Sequence, residues 1–191
     1  MLADGPKQLG LSFVATVLLI SSDVAYGHVG NAAARFALQR LGHEVLALPT
    51  VVVSSHLGYR KVGGTRIASE TLAEMLAALS ANGILSGVDA VLTGYLPSSA
   101  HVDVAAEAIA TVKRKTSDAL VMVDPVLGDD PGGLYVEKAA AESVRDRLVP
   151  LASIVTPNRF ELAWLAGAEV TDARQAQAAA HALTVPTVLA T

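Results

Sequence analysis

The chain has 191 residues, of which 52% are hydrophobic and 17% are charged, and its formal net charge at pH 7 is −4. This composition predicts a packed globular fold and excludes a largely disordered chain. The sequence has no Lys- or Arg-rich run that would indicate a nucleic-acid partner, and the absence of Cys excludes disulfides and thiolate metal sites and fits a reducing compartment.

An apolar segment near the start of the chain, Leu9 to Ile20, resembles the central part of a signal peptide. It is too short to span a bilayer, and it leads into a patterned polar segment instead of a small-residue cleavage site. We interpret Ala15 to Ile20 as a buried first strand. Residues 1–14 are then an N-terminal extension, and residues 15–191 form one domain.

Apolar strand-like runs alternate with helical patterns along this domain, which predicts βαβ units and a mainly parallel sheet covered on both faces. The apolar runs predict strands at Val17–Ile20, Val45–Leu48, Ala90–Thr93, Leu120–Val123, Ile154–Thr156 and Thr187–Ala190. Helical spacing of apolar residues predicts helices around residues 34–41, 72–79, 105–112 and 144–148, with a capping box at Thr71 to Glu74 and a final helix capped by Asp172.

Residues 51–66 depart from this alternation. The segment has no helical pattern, is punctuated by Gly58, Gly63 and Gly64, and carries polar side chains between its glycines. Such an excursion between a strand and a helix predicts either a flap over a site or a surface hairpin. The residues alone leave both alternatives open.

Two polar segments follow the first and third of the central predicted strands, at the sheet edge where open α/β folds bind ligands. Residues 21–31 contain Ser22 and open a helix, but they lack the Gly-x-Gly pair of a dinucleotide fingerprint, so a plain turn is an alternative. Tyr95 ends a buried strand, where its ring either stacks on a flat ligand or fills space.

Carboxylates follow the next two predicted strands. Asp124 and Asp129 can converge on a hard cation such as Mg²⁺, or Asp124 caps a turn while Asp129 stays in solvent. Asn158 and Glu161, which follow Thr156, have capping-box spacing. This spacing fits a purely structural helix start, and it equally fits a helix N-terminus that binds phosphate or metal.

In chain order, five motifs resemble the pyridoxal kinase family of the ribokinase superfamily: Tyr-Gly-His-Val-Gly-Asn (26–31), Val-x-x-Ser-x-His (51–56), Thr-Gly-Tyr (93–95), Asp-Pro-Val-Leu-Gly-Asp (124–129) and Thr-Pro-Asn-x-x-Glu-Leu (156–162). The resemblance implies a ribokinase-like three-layer α/β fold with a mainly parallel central sheet and a small flap. It also implies transfer of phosphate from ATP to the 5′-hydroxymethyl group of pyridoxal, pyridoxine or pyridoxamine, in pyridoxal 5′-phosphate salvage.

A cytoplasmic enzyme that uses ATP, Mg²⁺ and a monovalent cation such as K⁺ is implied as well, with a homodimer as the common assembly and neither nucleic acid nor membrane as a partner. The resemblance assigns substrate binding to Ser22, Val29, Val51, His56 and Tyr95. It assigns ATP and phosphate binding to Asp124, Thr156, Glu161 and Thr191, and metal binding to Asp124, Asp129 and Glu161. Four positions depart from the family pattern and leave the preferred vitamer open: Asp23, Val53, Ser55 and Leu57.

The family's Gly-x-Gly-Asp motif, which supplies an anion hole and the catalytic Asp, does not occur in this sequence. The resemblance therefore implies a C-terminally incomplete kinase domain over residues 15–191, with the catalytic Asp beyond Thr191. We expect such a chain to bind Mg·ATP weakly, to turn over negligibly and to be prone to aggregation. The alternatives are a non-catalytic module that holds a vitamer or a partner chain, a hydroxymethylpyrimidine kinase, and the product of a damaged reading frame.

Overall fold

The computed structural model of the protein describes residues 14–191. The predicted N-terminal extension, apart from Val14, lies outside the described residues. Within the described part of the chain, no helix combines the length and the apolar character that crossing a membrane requires.

A central sheet of seven strands is built from residues 14–191, in the order β3-β2-β1-β4-β5-β8-β9. Its strands are parallel except for β3, which runs antiparallel to β2 at one edge. A separate two-stranded hairpin pairs β6 with β7. The bounds are β1 (Thr16–Val24), β2 (Glu44–Val53), β3 (Gly64–Arg66), β4 (Ala90–Thr93), β5 (Leu120–Val123), β6 (Gly128–Asp129), β7 (Gly133–Leu134), β8 (Ile154–Val155) and β9 (Thr187–Val188).

Helices cover both faces of this sheet. The connection from β1 to β2 and the connection from β4 to β5 run in opposite directions across the sheet, so right-handed crossovers place their helices on opposite faces. Helix α3 contacts both α2 and α4, and α5 packs against α6. The three-layer α/β prediction is confirmed, with α1 (Gly30–Arg40), α2 (Ser69–Ala81), α3 (Ser99–Lys115), α4 (Lys138–Ser143), α5 (Arg159–Ala166) and α6 (Ala173–Ala182).

The hydrophobic core sits on the central strands. Leu18, Leu19 and Ile20 of β1 are consecutive and all fully buried, and consecutive strand residues point to opposite faces of a sheet. Both faces of β1 are therefore covered, as its continuous apolar run predicts. On α3 the predicted stripe of Ala105, Ala108, Ile109 and Val112 is buried, as a helix packed on a sheet requires.

The strand ends differ from the predictions. Strand β1 continues through Val24, so residues 22–24, predicted as loop, belong to the strand. Asp23 and Val24 pair with β2 after a register shift that leaves Ser22 without a partner on β2. Strand β2 likewise continues to Val53, because pairing with β1 and β3 compensates for its polar and exposed residues. The last two strands are shorter than predicted: Thr156 lies outside β8, and β9 ends at Val188.

Helix starts differ in one case. Helix α2 begins at Ser69, with Ala68 in the N-cap position, so the capping box predicted at Thr71 to Glu74 is wrong. The helix predicted around residues 144–148 is a π-helical turn that continues α4. The predicted cap at Asp172 is confirmed, because its side chain accepts a hydrogen bond from the backbone N–H of Gln175.

Candidate functional site

Ser22 lies where the end of β1 meets the start of α1. Gly30, the first residue of α1, has φ +54, and a Cβ at this position would lie 2.4 Å from Ser22 Oγ. Only glycine therefore allows the helix to start this close to the Ser22 side chain. Val29 precedes Gly30 in the N-cap position with an exposed side chain, so the first two predicted vitamer contacts border the same turn.

Tyr95 follows β4 and is held through its backbone by two neighbouring strands. Its N–H donates to Ser21 Oγ at 3.1 Å, and its carbonyl accepts from Thr50 Oγ1 at 2.7 Å. A Cβ on Gly94 would come within 2.4 Å of Ser21 Oγ, so this close approach also requires glycine. The Tyr95 ring is half-buried, and burial raises the pKa of its hydroxyl, while the charge of Arg66 on β3 opposes the shift.

The flap, residues 51–66, is a hairpin at the sheet edge that reaches back towards the end of β1. Val51 is buried on β2 opposite Arg66. At the tip, the exposed His56 ring lies 4.7 Å from the Tyr59 ring, and Tyr59 lies 6.3 Å from Tyr26 on the turn after β1. The segment is therefore a hairpin, as one alternative predicts, and its tip contacts the turn that precedes Gly30. Whether it acts as a flap over a site, the other alternative, stays a prediction.

A second group of site residues follows β5 and β8. Glu161, in the first turn of α5, is buried: its Oε1 accepts from the Leu127 N–H at 2.8 Å and its Oε2 from the Asn158 N–H at 2.9 Å. The Asn158 side chain in turn accepts from the Glu161 N–H, which completes the predicted capping box. Burial raises the pKa of Glu161, and these backbone hydrogen bonds oppose the shift.

Asp124 lies beside Glu161. Burial, followed by the negative charge of Glu161, raises the pKa of Asp124 to about 6, and a hydrogen bond with Thr156 opposes the shift. Asp129 is exposed at the end of β6, as the solvent alternative describes. Thr191 lies near the end of β8, where its N–H donates to the Pro157 carbonyl at 3.1 Å.

No group of three or more His, Cys, Asp or Glu side chains is arranged to hold a metal ion in the described residues. Asp124 and Glu161 form a pair of carboxylates, in which burial and then the charge of Glu161 raise the pKa of Asp124, and the charge of Asp129 on the exposed turn acts on Glu161. Mg²⁺ is commonly bound through one or two carboxylates, with water and phosphate oxygens completing the octahedron. The pair therefore fits Mg²⁺ with a phosphate-bearing ligand better than it fits a cage made by the protein alone.

The two groups of residues adjoin at the boundary between β4 and β5. The Asp124 N–H donates to the Thr93 carbonyl at 2.9 Å, two residues before Tyr95. A Cβ on Gly94 would lie 3.8 Å from Val126 Cγ2, so the turn after β5 touches the turn after β4. The structure thus brings the predicted vitamer residues and the predicted phosphate residues to one edge of the sheet.

Sequence analysis missed the buried polar residues that support this edge. Thr50 is fully buried and orients Tyr95. Asn31 is also fully buried, and its Nδ2 donates to the carbonyls of Ser21 and Leu48. A signal was present, because Thr50 lies inside an apolar run and Asn31 directly precedes one, and a polar side chain buried with such a run must find partners inside the fold.

Two concavities lie away from this edge. One, of about 420 Å³, lies between α2 and α3, and the other, of about 400 Å³, lies beside α6 and β9. Neither is lined by a residue predicted to bind the vitamer, ATP or metal. The candidate site is therefore the polar sheet edge, which the flap borders.

Known proteins resemble this chain in sequence and in fold. A family profile described as phosphomethylpyrimidine kinase matches residues 38–190. Pyridoxal kinase PdxY of Leifsonia xyli subsp. xyli is 44% identical over 151 residues, which cover 79% of this chain and 53% of that protein. Pyridoxal kinase PdxY of Corynebacterium diphtheriae is 40% identical over 178 residues, which cover 92% of this chain and 63% of that protein.

Solved structures match as well. Pyridoxal kinase from Leishmania donovani in complex with ADP and pyridoxamine aligns with a TM-score of 0.86 at 38% identity, and the alignment covers 91% of this chain and 62% of that one. This match confirms the predicted fold class. The chain spans 53% to 63% of the length of the two curated relatives described above.

Proposed function

Since the chain belongs to the phosphomethylpyrimidine kinase family and its relatives include pyridoxal kinases, we propose that its activity is the ATP-dependent phosphorylation of pyridoxal, pyridoxine or pyridoxamine at the 5′-hydroxymethyl group. The product of pyridoxal phosphorylation is pyridoxal 5′-phosphate, so the proposed role is salvage of this cofactor. A cytoplasmic location and a homodimeric assembly belong to the same proposal.

One observation carries the proposal: the aromatic Tyr95 and the Asp124–Glu161 pair lie on adjacent turns at one edge of the sheet. Phosphoryl transfer depends mainly on positioning and on neutralising phosphate charge. A flat ring beside Tyr95 would place its substituents towards a carboxylate pair suited to Mg²⁺ and phosphate. This is the arrangement that moving a phosphoryl group onto a ring substituent requires.

We assign the vitamer to the first group of residues. In the proposal Ser22 hydrogen-bonds the pyridine ring, and the flap residue His56 closes over it. The ring itself is lined by Val29, Val51 and Tyr95. The half-buried Tyr95, fixed through both backbone groups, supports this assignment because a rigid aromatic surface binds a flat ring at low entropic cost.

We assign the phosphates and Mg²⁺ to the second group. Asp124 and Glu161 hold the metal, Asp129 assists from the exposed turn, and Thr156 and Thr191 lie near the phosphates, where a monovalent cation such as K⁺ is also proposed. When bound, Mg²⁺ supplies positive charge that screens the phosphate oxygens. The raised pKa of Asp124 supports the assignment, because a cation beside two close carboxylates relieves their repulsion.

Two other functions compete with this proposal. The description of the family profile favours a methylpyrimidine substrate, so a hydroxymethylpyrimidine kinase is the second candidate. The motifs Tyr-Gly-His (26–28) and Ser-x-His (54–56) argue against it. A non-catalytic module that holds a vitamer is the third, and it predicts binding of pyridoxal without formation of a phosphate ester.

The test is a phosphorylation assay with ATP and Mg²⁺ in which pyridoxal competes with hydroxymethylpyrimidine. Because the chain spans only part of the length of its relatives, we would assay it alone and joined to the remainder of the Corynebacterium protein. The expected result is a 5′-phosphate of pyridoxal, detected by mass spectrometry, from at least the joined protein. Preferential phosphorylation of the pyrimidine would favour the second candidate.

Two controls sharpen the assay. A pyridoxal analogue without the 5′-hydroxyl should bind and give no product, and Asp124→Asn in the joined protein should lower the rate while pyridoxal still binds. Pyridoxal binding without product in either form of the unsubstituted protein supports the non-catalytic module and rejects the kinase.

A further inference from the structure

His101 is a buried polar residue that the proposed function does not use. It lies in the first turn of α3, and its side chain is only 2% exposed. The ring makes two hydrogen bonds: Nδ1 pairs with Ser98 Oγ at 2.8 Å, and Nε2 pairs with the carbonyl of Ile67 at 2.8 Å. A carbonyl can only accept, so Nε2 must carry the hydrogen in this second bond.

The Ser98 hydroxyl orients the His101 ring. Because Nε2 carries the hydrogen, Nδ1 of the neutral ring accepts and the Ser98 hydroxyl donates. Ser98 is the N-cap of α3, but its side chain makes no capping bond with the backbone N–H groups of the first turn. The bond from Ser98 therefore fixes the ring so that the Nε2 hydrogen points at the Ile67 carbonyl.

The hydrogen bond from His101 Nε2 reaches the backbone at the residue where the chain leaves the flap. Ile67 directly follows β3, and its N–H donates to the Thr50 carbonyl at 3.0 Å while its carbonyl accepts from His101. The returning strand of the flap has few other contacts, because all three residues of β3 are exposed and pair only with β2. His101 thus fixes the returning end of the flap to α3, whereas the outgoing end is held beside β1, where the Tyr26 N–H donates to the Ser54 carbonyl at 3.0 Å.

The same chain of hydrogen bonds continues to Tyr95. Thr50, whose carbonyl binds the Ile67 N–H, donates through Oγ1 to the carbonyl of Tyr95, and the Tyr95 N–H donates to Ser21 Oγ. One connected network therefore joins His101 to both features that border the proposed vitamer site, the flap and the backbone that carries the Tyr95 ring. Buried networks of this kind hold their members in a single arrangement when every group is paired.

We propose that His101 is a positioning residue, which holds the flap and the Tyr95 ring in the arrangement that binds the vitamer without touching the ligand itself. Its part in vitamer binding rests on the proposed function, whereas its hold on the flap does not. The signal in the sequence is the spacing Ser98-x-x-His101, which matches a capping box with His in place of Glu.

The test uses three variants of the 191-residue chain. His101→Leu removes both hydrogen bonds while keeping an apolar side chain in the core. His101→Gln is the rescue variant, because its carbonyl can accept from Ser98 and its amide can donate to Ile67. His181→Leu is the matched control, since His181 is an exposed histidine near the end of α6.

Two quantities are measured for each: hydrogen exchange of backbone amides and the dissociation constant for pyridoxal. In His101→Leu we expect the amides of Ser54 in the flap and of Ile67 directly after it to exchange about tenfold faster relative to the core amide of Asp124. We also expect pyridoxal affinity to fall about tenfold, which is ~1.4 kcal/mol. His101→Gln should recover both within about twofold, and His181→Leu should match the unchanged chain.

The outcomes separate the two proposals. Equal acceleration of flap and core amides in His101→Leu would make His101 a residue of general stability and overturn the inference. Unchanged pyridoxal affinity alongside a loosened flap would overturn its role at the site. If the unsubstituted chain binds no pyridoxal, the proposed function fails for this chain, and exchange alone decides whether His101 holds the flap. Ser98→Ala, which removes only the Nδ1 partner, should shift both quantities in the same direction and serves if His101→Leu does not fold.

Discussion

Replacing Asp124 with Asn should stabilise the protein at neutral pH and leave its stability nearly unchanged in acid. Burial, and then the charge of Glu161, raises the pKa of Asp124 from 3.8 to about 6. The folded chain therefore binds this proton more tightly than the unfolded chain does. The stability contributed by the protonated carboxyl is complete below pH 3.8 and is lost as the pH rises through about 6. The full shift corresponds to ~3 kcal/mol, the most that removing the charge can return.

Thermal unfolding at about pH 4 and about pH 7.5 measures this difference. For a chain of this size each kcal/mol shifts the Tm by about 2–4 °C, so Asp124→Asn should raise the Tm by roughly 2–10 °C at the higher pH. Near pH 4 the two Tm values should agree within about 2 °C. Asp129→Asn is the matched control, because Asp129 is exposed and should show no comparable gain.

A drop in Tm of the same size at both pH values would refute this reasoning, because it would mean that the carboxylate of Asp124 is needed to build the turn. Mg²⁺ adds a second readout. If Asp124 holds the metal, Mg²⁺ with ATP should raise the Tm of the unsubstituted chain at about pH 7.5 and should raise the Tm of Asp124→Asn less. Equal Mg²⁺ shifts in both would remove Asp124 from the metal site.

Three further changes are predicted. Asp129→Ala should keep the Tm within about 2 °C of that of the unsubstituted protein, because an exposed carboxylate adds little stability, but it should lower Mg²⁺-dependent activity about tenfold or more. A parallel loss of Tm and activity would indicate that Asp129 has only a structural role in the turn. Gly30→Ala should lower the free energy of unfolding by about 1–3 kcal/mol and weaken pyridoxal binding. Gly42→Ala is its control: Gly42 also has a positive φ, but a Cβ there would meet open space, so the pyridoxal affinity should not change. Asn31→Leu should cost at least ~2 kcal/mol in denaturant unfolding, because two buried carbonyls lose their donor; a cost below ~1 kcal/mol would contradict this.

The central strands were the most predictable part of the fold. Strands β4 and β5 begin and end where the sequence predicts, because each is a short run of mainly apolar residues between polar turns, with one face buried and the other partly covered. The ends of β1 and β2 were not predictable in the same way. Asp23 and Val24 join the sheet only because a neighbouring strand offers partners after a register shift, and a single sequence does not show that neighbour.

The site was predictable as a set of residue types and not as a set of interactions. Motif order pointed to Asp124 and Glu161 separately, but the raised pKa of Asp124 depends on burial and on the position of α5. His101 gave still less signal, because its partner Ile67 lies 34 residues away in the sequence. Hydrogen bonds between distant segments depend on tertiary packing, which local patterns do not encode.

Glu161 shows why the structural and functional interpretations of a motif need not exclude each other. Its two carboxylate oxygens each accept one backbone N–H, from Leu127 and from Asn158, and these bonds fix the start of α5 and the turn after β5. A carboxylate has about four lone-pair sites, so the Glu161 side chain retains acceptor capacity even with the further backbone hydrogen bond from Gly128. The capping box therefore orients the Glu161 carboxylate and leaves part of its acceptor capacity free. The hydrogen bonds that make Glu161 a structural residue also place its charge near Asp124. A helix start built this way holds a buried anion rigidly, which is the preorganisation that a site for Mg²⁺ and phosphate needs.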